Sequence, residues 1–472
     1  MSPSVPSYPA GPTPARSAAA GVETHGIAPV PVNRRYGRPA RLFSVWFAPN
    51  LTVTAVFTGA LAITLGLGLV SAIFAIVLGT VAGSMVTAYL CTWGPRTGSA
   101  QLPFSRLPFG RGVLLPGLLG WASAVCWDAL VGVFGGQAVE SLTGLPFWLS
   151  VVIVLAMQAV VGFFGYEVIH RFQVVASYLL ALAFLVLTIR IFGTARLPTA
   201  GTAAGADQAG AWFLVFAVGF SLGISWAPYA SDFSRYMPPS SSPARMFLFT
   251  TAGMSLSYIW GQVIGAAGAS LLADQTAVGI RTLMGGGVLG VIAMLTLVLS
   301  TVSSNAMNDY SGSLDLQTIG VRIPRPLAAL VVAVLALALC LWMTAGDMAS
   351  RFQNVLLMVS YWIPCFVAVV LIDWRRRHKE ADGTVDVAAA LAHRRSGWPA
   401  VVALVAGTAS TLLFMDTALW VGPVAAVLHG ADLAYYAGFV VSAAVYAALL
   451  PLARAEATPM PAAGADPVPV TD

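Results

Sequence analysis

Apolar residues in this chain neither alternate nor mark one face of a helix. They run on for about twenty residues at a time, the length that crosses the hydrocarbon core of a bilayer as a helix. By that ruler the sequence predicts about twelve spans. The first five fall near 43–67, 69–91, 113–138, 147–165 and 173–193, the next five near 211–231, 246–271, 286–311, 327–345 and 352–372. The last two fall near 399–416 and 433–453.

Two spans are interrupted. One reads Phe43-Ser44-Val45-Trp46-Phe47-Ala48-Pro49-Asn50-Leu51-Thr52, the other Ser225-Trp226-Ala227-Pro228-Tyr229-Ala230-Ser231-Asp232-Phe233-Ser234-Arg235-Tyr236. Each carries a tryptophan directly before Ala-Pro. Proline removes a backbone donor and clashes with the preceding turn, so a helix must kink or unwind there. Within a bilayer that is tolerated only where the freed carbonyls meet protein, water or a bound ion. Broken segments at matching places in two halves point to a transporter's binding site.

The longest polar insert, from Asp373 to Arg395, follows the tenth span and divides the helices into ten plus two. The ten split into two fives, each beginning at a broken segment. A five-helix unit has an odd count, so its repeat enters the membrane from the opposite side. The predicted fold is therefore an all-α integral membrane protein with a LeuT-type 5+5 inverted repeat and two C-terminal helices. The expected domains are a disordered cytoplasmic tail over 1–40, a transport core over 41–372 and a cytoplasmic loop over 373–398. A two-helix unit over 399–454 and a disordered tail over 455–472 complete the chain.

Composition agrees: 58% of the residues are hydrophobic and 9% charged, against about 25% charged in soluble domains. The net charge of +5 raises the question of nucleic acid, but the positions of the charges answer it. Of the 24 Lys and Arg, all but Arg190, Arg196, Arg281 and Arg351 fall on one side of the predicted spans. The positive-inside rule makes that side cytoplasmic, with both termini on it, in the cell membrane. Lipid, not nucleic acid, is the expected partner, and a monomer the expected working unit. Cys91, Cys126, Cys340 and Cys365 show no metal or redox spacing. No phosphate loop, nucleophile elbow or HExxH motif is present, so the chain is not expected to be an enzyme or to carry a cofactor.

A charge at membrane depth costs from about 2.5 to over 10 kcal/mol, so Asp128 inside the third span needs a reason. It reads as a proton acceptor, a partner for substrate nitrogen, an indirect cation ligand or a structural pair. Trp127 beside it and Trp226 at the break offer faces for a flat ring. In the eighth span Ser300, Ser304 and Asn308 share one helix stripe, with Ser303 adjacent. Ser303 and Ser304, facing carbonyls near Ala48, would make an oxygen cage for Na⁺. The alternative is that these serines let helices approach closely. Glu167 and His170 read as hinge contacts in an inner loop.

The segments from Trp226 to Tyr236, from Asn305 to Gly312, and Trp46-Phe47-Ala48-Pro49-Asn50 resemble the purine–cytosine permease branch of the nucleobase–cation symporter family. The resemblance runs from about Arg41 to Asp373, nearly the whole membrane domain. It implies alternating-access symport of a nucleobase (cytosine or a purine) or a related planar heterocycle with Na⁺ or H⁺. It further implies a ring sandwiched by Trp127 and an aromatic of the sixth span, its edge read by Asn305, Asn308 and Asp309, with Asn50 nearby. Alignment on the Asp-Phe-Ser-Arg exit puts Gly223 at the family's aromatic position. Either Trp226 serves from a shifted place, or Ser225 and Trp226 contribute backbone contacts. Ala48, Ser303 and Ser304 match the sodium position, which favours Na⁺, and Asp128 keeps H⁺ open. Allantoin, hydantoin, thiamine or pyridoxine compounds are alternative substrates. A channel or a membrane-embedded enzyme is the alternative from another class.

Overall fold

Helices stand at every place where an apolar run predicts one. The computed structural model describes residues 26–272, 276–321, 325–380 and 396–454, and these form helices with no strand beyond an isolated Asp416–Val421 bridge. The first broken span is α1 (Arg41–Phe47), a tight turn Ala48–Asn50 and α2 (Val53–Thr64). There follow α3 (Leu69–Cys91), α4 (Leu114–Thr143), α5 (Phe147–Phe164), α6 (Tyr166–Thr194) and α7 (Gly205–Ile224). The second half continues with α8 (Pro243–Ala267), α9 (Val288–Thr318), α10 (Arg325–Thr344), α11 (Met348–Met358) and α12 (Trp362–Glu380). The last long helices are α13 (Trp398–Thr411) and α14 (Ala434–Arg454).

Among the described residues eight helices are long and apolar enough to cross a membrane, or nine when the bent α1–α2 pair is one span. Leu330–Thr344 and Trp398–Thr411 are apolar but shorter. Helix α8 is more polar than these. It buries Ser257, Tyr258 and Gln262 among its neighbours and exposes Leu248 and Leu256 on its outer face.

Two sets of helices are packed by different means. Helices α3 and α7 meet on a glycine seam: a Cβ at Gly79 or Gly83 would stand 2.2 Å from the carbonyl oxygen of Phe216 or Phe220. Helix α8 meets α2 in the same way, with Gly59 against the Gln262 carbonyl and Gly265 against that of Val56. Small residues let backbones approach where lipid offers no hydrophobic drive to association. Helices α4, α5, α6 and α9 are instead joined by buried amides and carboxyls.

The N-terminal tail expected to be disordered to residue 40 is packed from Gly26 onward. Val30 is fully buried and its N–H donates to the Gly98 carbonyl at 2.8 Å. Arg35 donates to the carbonyls of Val30 and Pro95 at 2.8 and 2.7 Å. Helix α12 runs on to Glu380, into the expected loop. Residues 1–25, 381–395 and 455–472, where the remaining tail and loop expectations fall, lie outside the described residues.

Candidate functional site

The chain turns by 59° between α1 and α2. At this break a side chain meets a backbone carbonyl: Asn50 Nδ2 donates to the Trp46 oxygen at 2.7 Å. Asn50 Oδ1 in turn accepts from Trp226 Nε1 at 2.9 Å, and the same indole N–H reaches the Tyr258 hydroxyl at 3.1 Å. Trp46 and Trp226 lie edge to face, 5.6 Å apart. The two tryptophan–Ala–Pro signals therefore meet in space, one break bracing the other. Asn50 and Trp226 were expected to touch a substrate directly, but each has its polar atoms engaged in this brace.

The second break holds a tight turn, Ala227–Tyr229, followed by irregular backbone to Tyr236. Its polar groups are satisfied by neighbours. Ser231 donates to Gln101 Oε1 at 2.7 Å, Asp232 Oδ1 accepts from the Gln101 N–H at 2.9 Å, and Ser234 donates to the Cys91 carbonyl at 2.6 Å. The Ser225 hydroxyl bonds back to Leu222 of its own helix. Gly223 lies in the α3 seam, where a Cβ would stand 2.4 Å from the Ser84 nitrogen, so this position cannot present an aromatic ring to a cavity.

Helix α9 carries polar residues on two faces. Ser303 faces α6, where its hydroxyl donates to Gln173 Oε1 at 2.5 Å and its carbonyl accepts from Gln173 Nε2 at 2.8 Å. The buried Ser300 hydroxyl has no hydrogen-bond partner among the described residues. Ser304 is nearby and also buried. Ala48 is fully buried at the break that α9 packs against. The other face meets α4 and α5. Asn305 Nδ2 donates to the Asp128 carbonyl at 3.0 Å and to Gln158 Oε1 at 2.9 Å. Gln158 Nε2 reaches Asp309 Oδ2 at 3.3 Å, and Asn308 Nδ2 reaches Asn305 Oδ1 at 3.4 Å. The carboxyl of Asp128 sits alongside that of Asp309, with Asn308 and Gln158 flanking it. Asp128 is fully buried among these groups.

A cavity of about 460 Å³ opens beside this cluster, lined by Trp121, Asp128, Phe163, Asn308, Asp309 and Gln317 among others. That volume lies within the range of small-molecule sites. Asn305, Asn308, Asp309 and Asp128 are thus brought together in one cluster. Trp127 is buried on another face of α4. It shares that face, by helical spacing, with Ser123, which bonds to the Val359 carbonyl and Trp362, and with Phe134, which packs on Phe57 and Phe352. Its indole N–H has no partner among the described residues. The tryptophan in the cavity wall is Trp121, two helical turns before Asp128.

Sequence reasoning missed Trp121, Gln158 and Gln173. Gln158 was detectable as an amide inside an apolar run, a position that carries its own cost. Trp121 was legible only from its heptad spacing to Asp128.

Residues 29–438 match a family model described as permease for cytosine/purines, uracil, thiamine and allantoin. The putative purine-cytosine permease YxlA of Bacillus subtilis (strain 168) is 25% identical over 441 residues, covering 91% of this chain and 96% of that protein. The vitamin B6 transporter TPN1 of Saccharomyces cerevisiae is 22% identical over 435 residues, covering 77% of this chain and 75% of that one. Among solved structures, Mhp1, a nucleobase-cation-symport-1 family transporter in a closed conformation with bromovinylhydantoin bound, superposes with a TM-score of 0.73. At 20% identity, over 92% of this chain and 96% of that one, this likeness establishes the fold.

Proposed function

The chain belongs to the family of permeases for cytosine/purines, uracil, thiamine and allantoin, and from that premise we propose that it is a secondary active transporter importing a planar nitrogen heterocycle by cation symport. The observation that carries this reading is the meeting of two interrupted helices through the Asn50–Trp226 hydrogen bond. Broken segments joined in this way move as one body, which is what alternating access requires of a discontinuous helix pair. The glycine-packed set (α1–α2, α3, α7 and α8) is the moving bundle in this proposal, and α4, α5, α6 and α9 form the scaffold. The Arg-rich face is cytoplasmic, in the cell membrane, and the chain works as a monomer.

Substrate recognition falls to the amide–carboxyl cluster. Asn308, Asp309 and Asp128 offer donors and acceptors to a ring edge, and Trp121 offers a face for stacking. Cytosine and purines carry a matching edge of ring nitrogens and exocyclic groups, as do the uracil, thiamine and allantoin of the family description and the vitamin B6 of one relative. Trp127, with its unpartnered indole N–H, is proposed to meet the ring on the bundle side. Trp226, Ser225 and Asn50 shape the break rather than contact the ring.

Two coupling ions are compatible with the fold. The sequence favours Na⁺ at Ala48, Ser303 and Ser304. The reciprocal Gln173–Ser303 pair already engages one of those hydroxyls, while the buried Asp128 carboxyl lies beside that of Asp309. These observations move our proposal to H⁺, carried at the Asp128–Asp309 pair, with Na⁺ as the second reading. The test is uptake of labelled cytosine, adenine and hypoxanthine into proteoliposomes under an inward proton or sodium gradient. Accumulation of at least one of them under the proton gradient is expected, and accumulation under the sodium gradient alone selects the second reading. No accumulation under either gradient overturns the symport proposal.

A further inference from the structure

Asp315 lies on the inner stretch of α9, seven residues after Asn308 and so about two turns further along the same face. It is 1% exposed, and neither carboxyl oxygen has a hydrogen-bond partner among the described residues. The absence of a side chain at Gly120 makes its room: a Cβ there would stand 2.4 Å from Asp315 Oδ2. The Gly120 carbonyl also accepts from the Tyr229 hydroxyl at 2.6 Å, which brings the turn of the second break to the same point. Three elements therefore converge on this carboxyl: α4, α9 and the interrupted end of α7.

Among the described residues no basic group pairs with it. From the break it faces Tyr229 and Asp232. From α4 it faces Gly120, with Cys126 and Asp128 further along the helix toward Tyr229. The segment Gln101–Phe104 packs on α9, and Gln101 Nε2 has no hydrogen-bond partner among the described residues. On its own helix, Tyr310 takes the Arg235 guanidinium, and the Thr318 carbonyl takes Arg106. An ionised carboxylate without donors at such a place is strongly disfavoured against the neutral acid. It becomes tolerable when water reaches it, and parting of the Tyr229 turn from α4 and α9 would admit water.

We infer that Asp315 is a second proton-binding group, beyond the Asp128–Asp309 pair, and that loss of its proton to water at the Arg-rich end accompanies separation of the second break from the scaffold. The inference rests on the transport reading above. Protonated, the carboxyl stays buried and the two sets of helices stay together; deprotonated, it favours the arrangement that hydrates it. By linkage, opening toward the Arg-rich side promotes proton release there, and a proton supplied from that side promotes closure.

The experiment uses the full chain in proteoliposomes with labelled cytosine, adenine and hypoxanthine. Asp315→Asn keeps the shape and removes the titration. Exchange of label at equal concentrations on both sides is expected to persist, while accumulation driven by a pH gradient falls at least tenfold. Wild-type-like accumulation by Asp315→Asn overturns the inference. Should that variant fail to reconstitute, Asp315→Glu retains a carboxyl in altered surroundings. Its pH midpoint for accumulation is expected to move by half a unit or more, and an unmoved midpoint overturns the inference. If the wild type exchanges none of the three compounds, the transport reading falls and this inference with it. If the wild type exchanges but accumulates only under a sodium gradient, the transport reading survives and the inference fails.

Discussion

Asn50 shows how much one amide settles at a broken helix. Proline at position 49 ends the regular ladder of α1, and Asn50 supplies a side-chain donor to the Trp46 carbonyl while accepting the indole N–H of Trp226. Asn50→Ala takes the side-chain donor from the buried Trp46 carbonyl and leaves the Trp226 indole only its Tyr258 contact, and an unmet buried group costs about 1–3 kcal/mol. The variant is expected to melt several degrees lower in detergent and to lose most of its uptake. Trp226→Phe removes one donor but leaves the Trp46 carbonyl satisfied, so a smaller loss is expected. Equal melting shifts would show that the amide does not join the breaks. Asn50 stood out in the sequence because of its position after Ala-Pro. That it faces a second tryptophan 176 positions along the chain was not legible, because local sequence carries no information about which break lies opposite.

Helix pairing depends on where side chains are missing. Gly79 and Gly83 on α3 face Gly219 and Gly223 on α7, each pair four residues apart, so both helices present a bare stripe to the other. This accounts for glycine at 223, where family resemblance suggests an aromatic. Gly223→Phe is expected to prevent close packing of α3 on α7 at a cost of about 1–3 kcal/mol or more, and to reduce the yield of monodisperse protein. Gly193→Ala, with nothing within 4 Å of the added methyl, is the control and is expected to behave as wild type. Comparable yields from both would remove the seam from the account. The four-residue spacing was present in the sequence, but its partner helix was not.

At the Arg-rich end the N-terminal segment ties the two sets of helices together. Tyr36 donates its N–H to the Tyr236 carbonyl and its hydroxyl to Glu167 at 3.1 Å, and Arg41 pairs with Glu167 at 3.2 Å. Tyr36, Tyr166 and Tyr236 form an aromatic cluster beneath them. Glu167 thus joins the first turn of α6 to α1, in place of the simple hinge contact expected of it. Partly exposed pairs of this kind are worth about 0.2–1 kcal/mol, which makes them a bias rather than a lock. Glu167→Ala is expected to raise the alkylation rate of a cysteine at buried Ala230 about two- to fivefold, in a background lacking the four native cysteines. An unchanged rate would mean that this contact does not hold the face closed.

The sequence alone determined the class of molecule. Uninterrupted apolar runs have no stable solution in water other than burial, and their length matches a bilayer, so the all-helical class and the approximate helix positions followed from hydropathy. The two Ala-Pro breaks and the membrane-depth polar residues were equally visible, because both are costly in lipid wherever they face. Tertiary structure alone decided which of those costs are met within the protein and which are left open. Asn50 and Trp226 satisfy each other, and Gln173 satisfies Ser303, whereas the Asp315 carboxyl has no hydrogen-bond partner among the described residues. That division depends on the facing of helices far apart in the chain, a property of packing that no local pattern encodes.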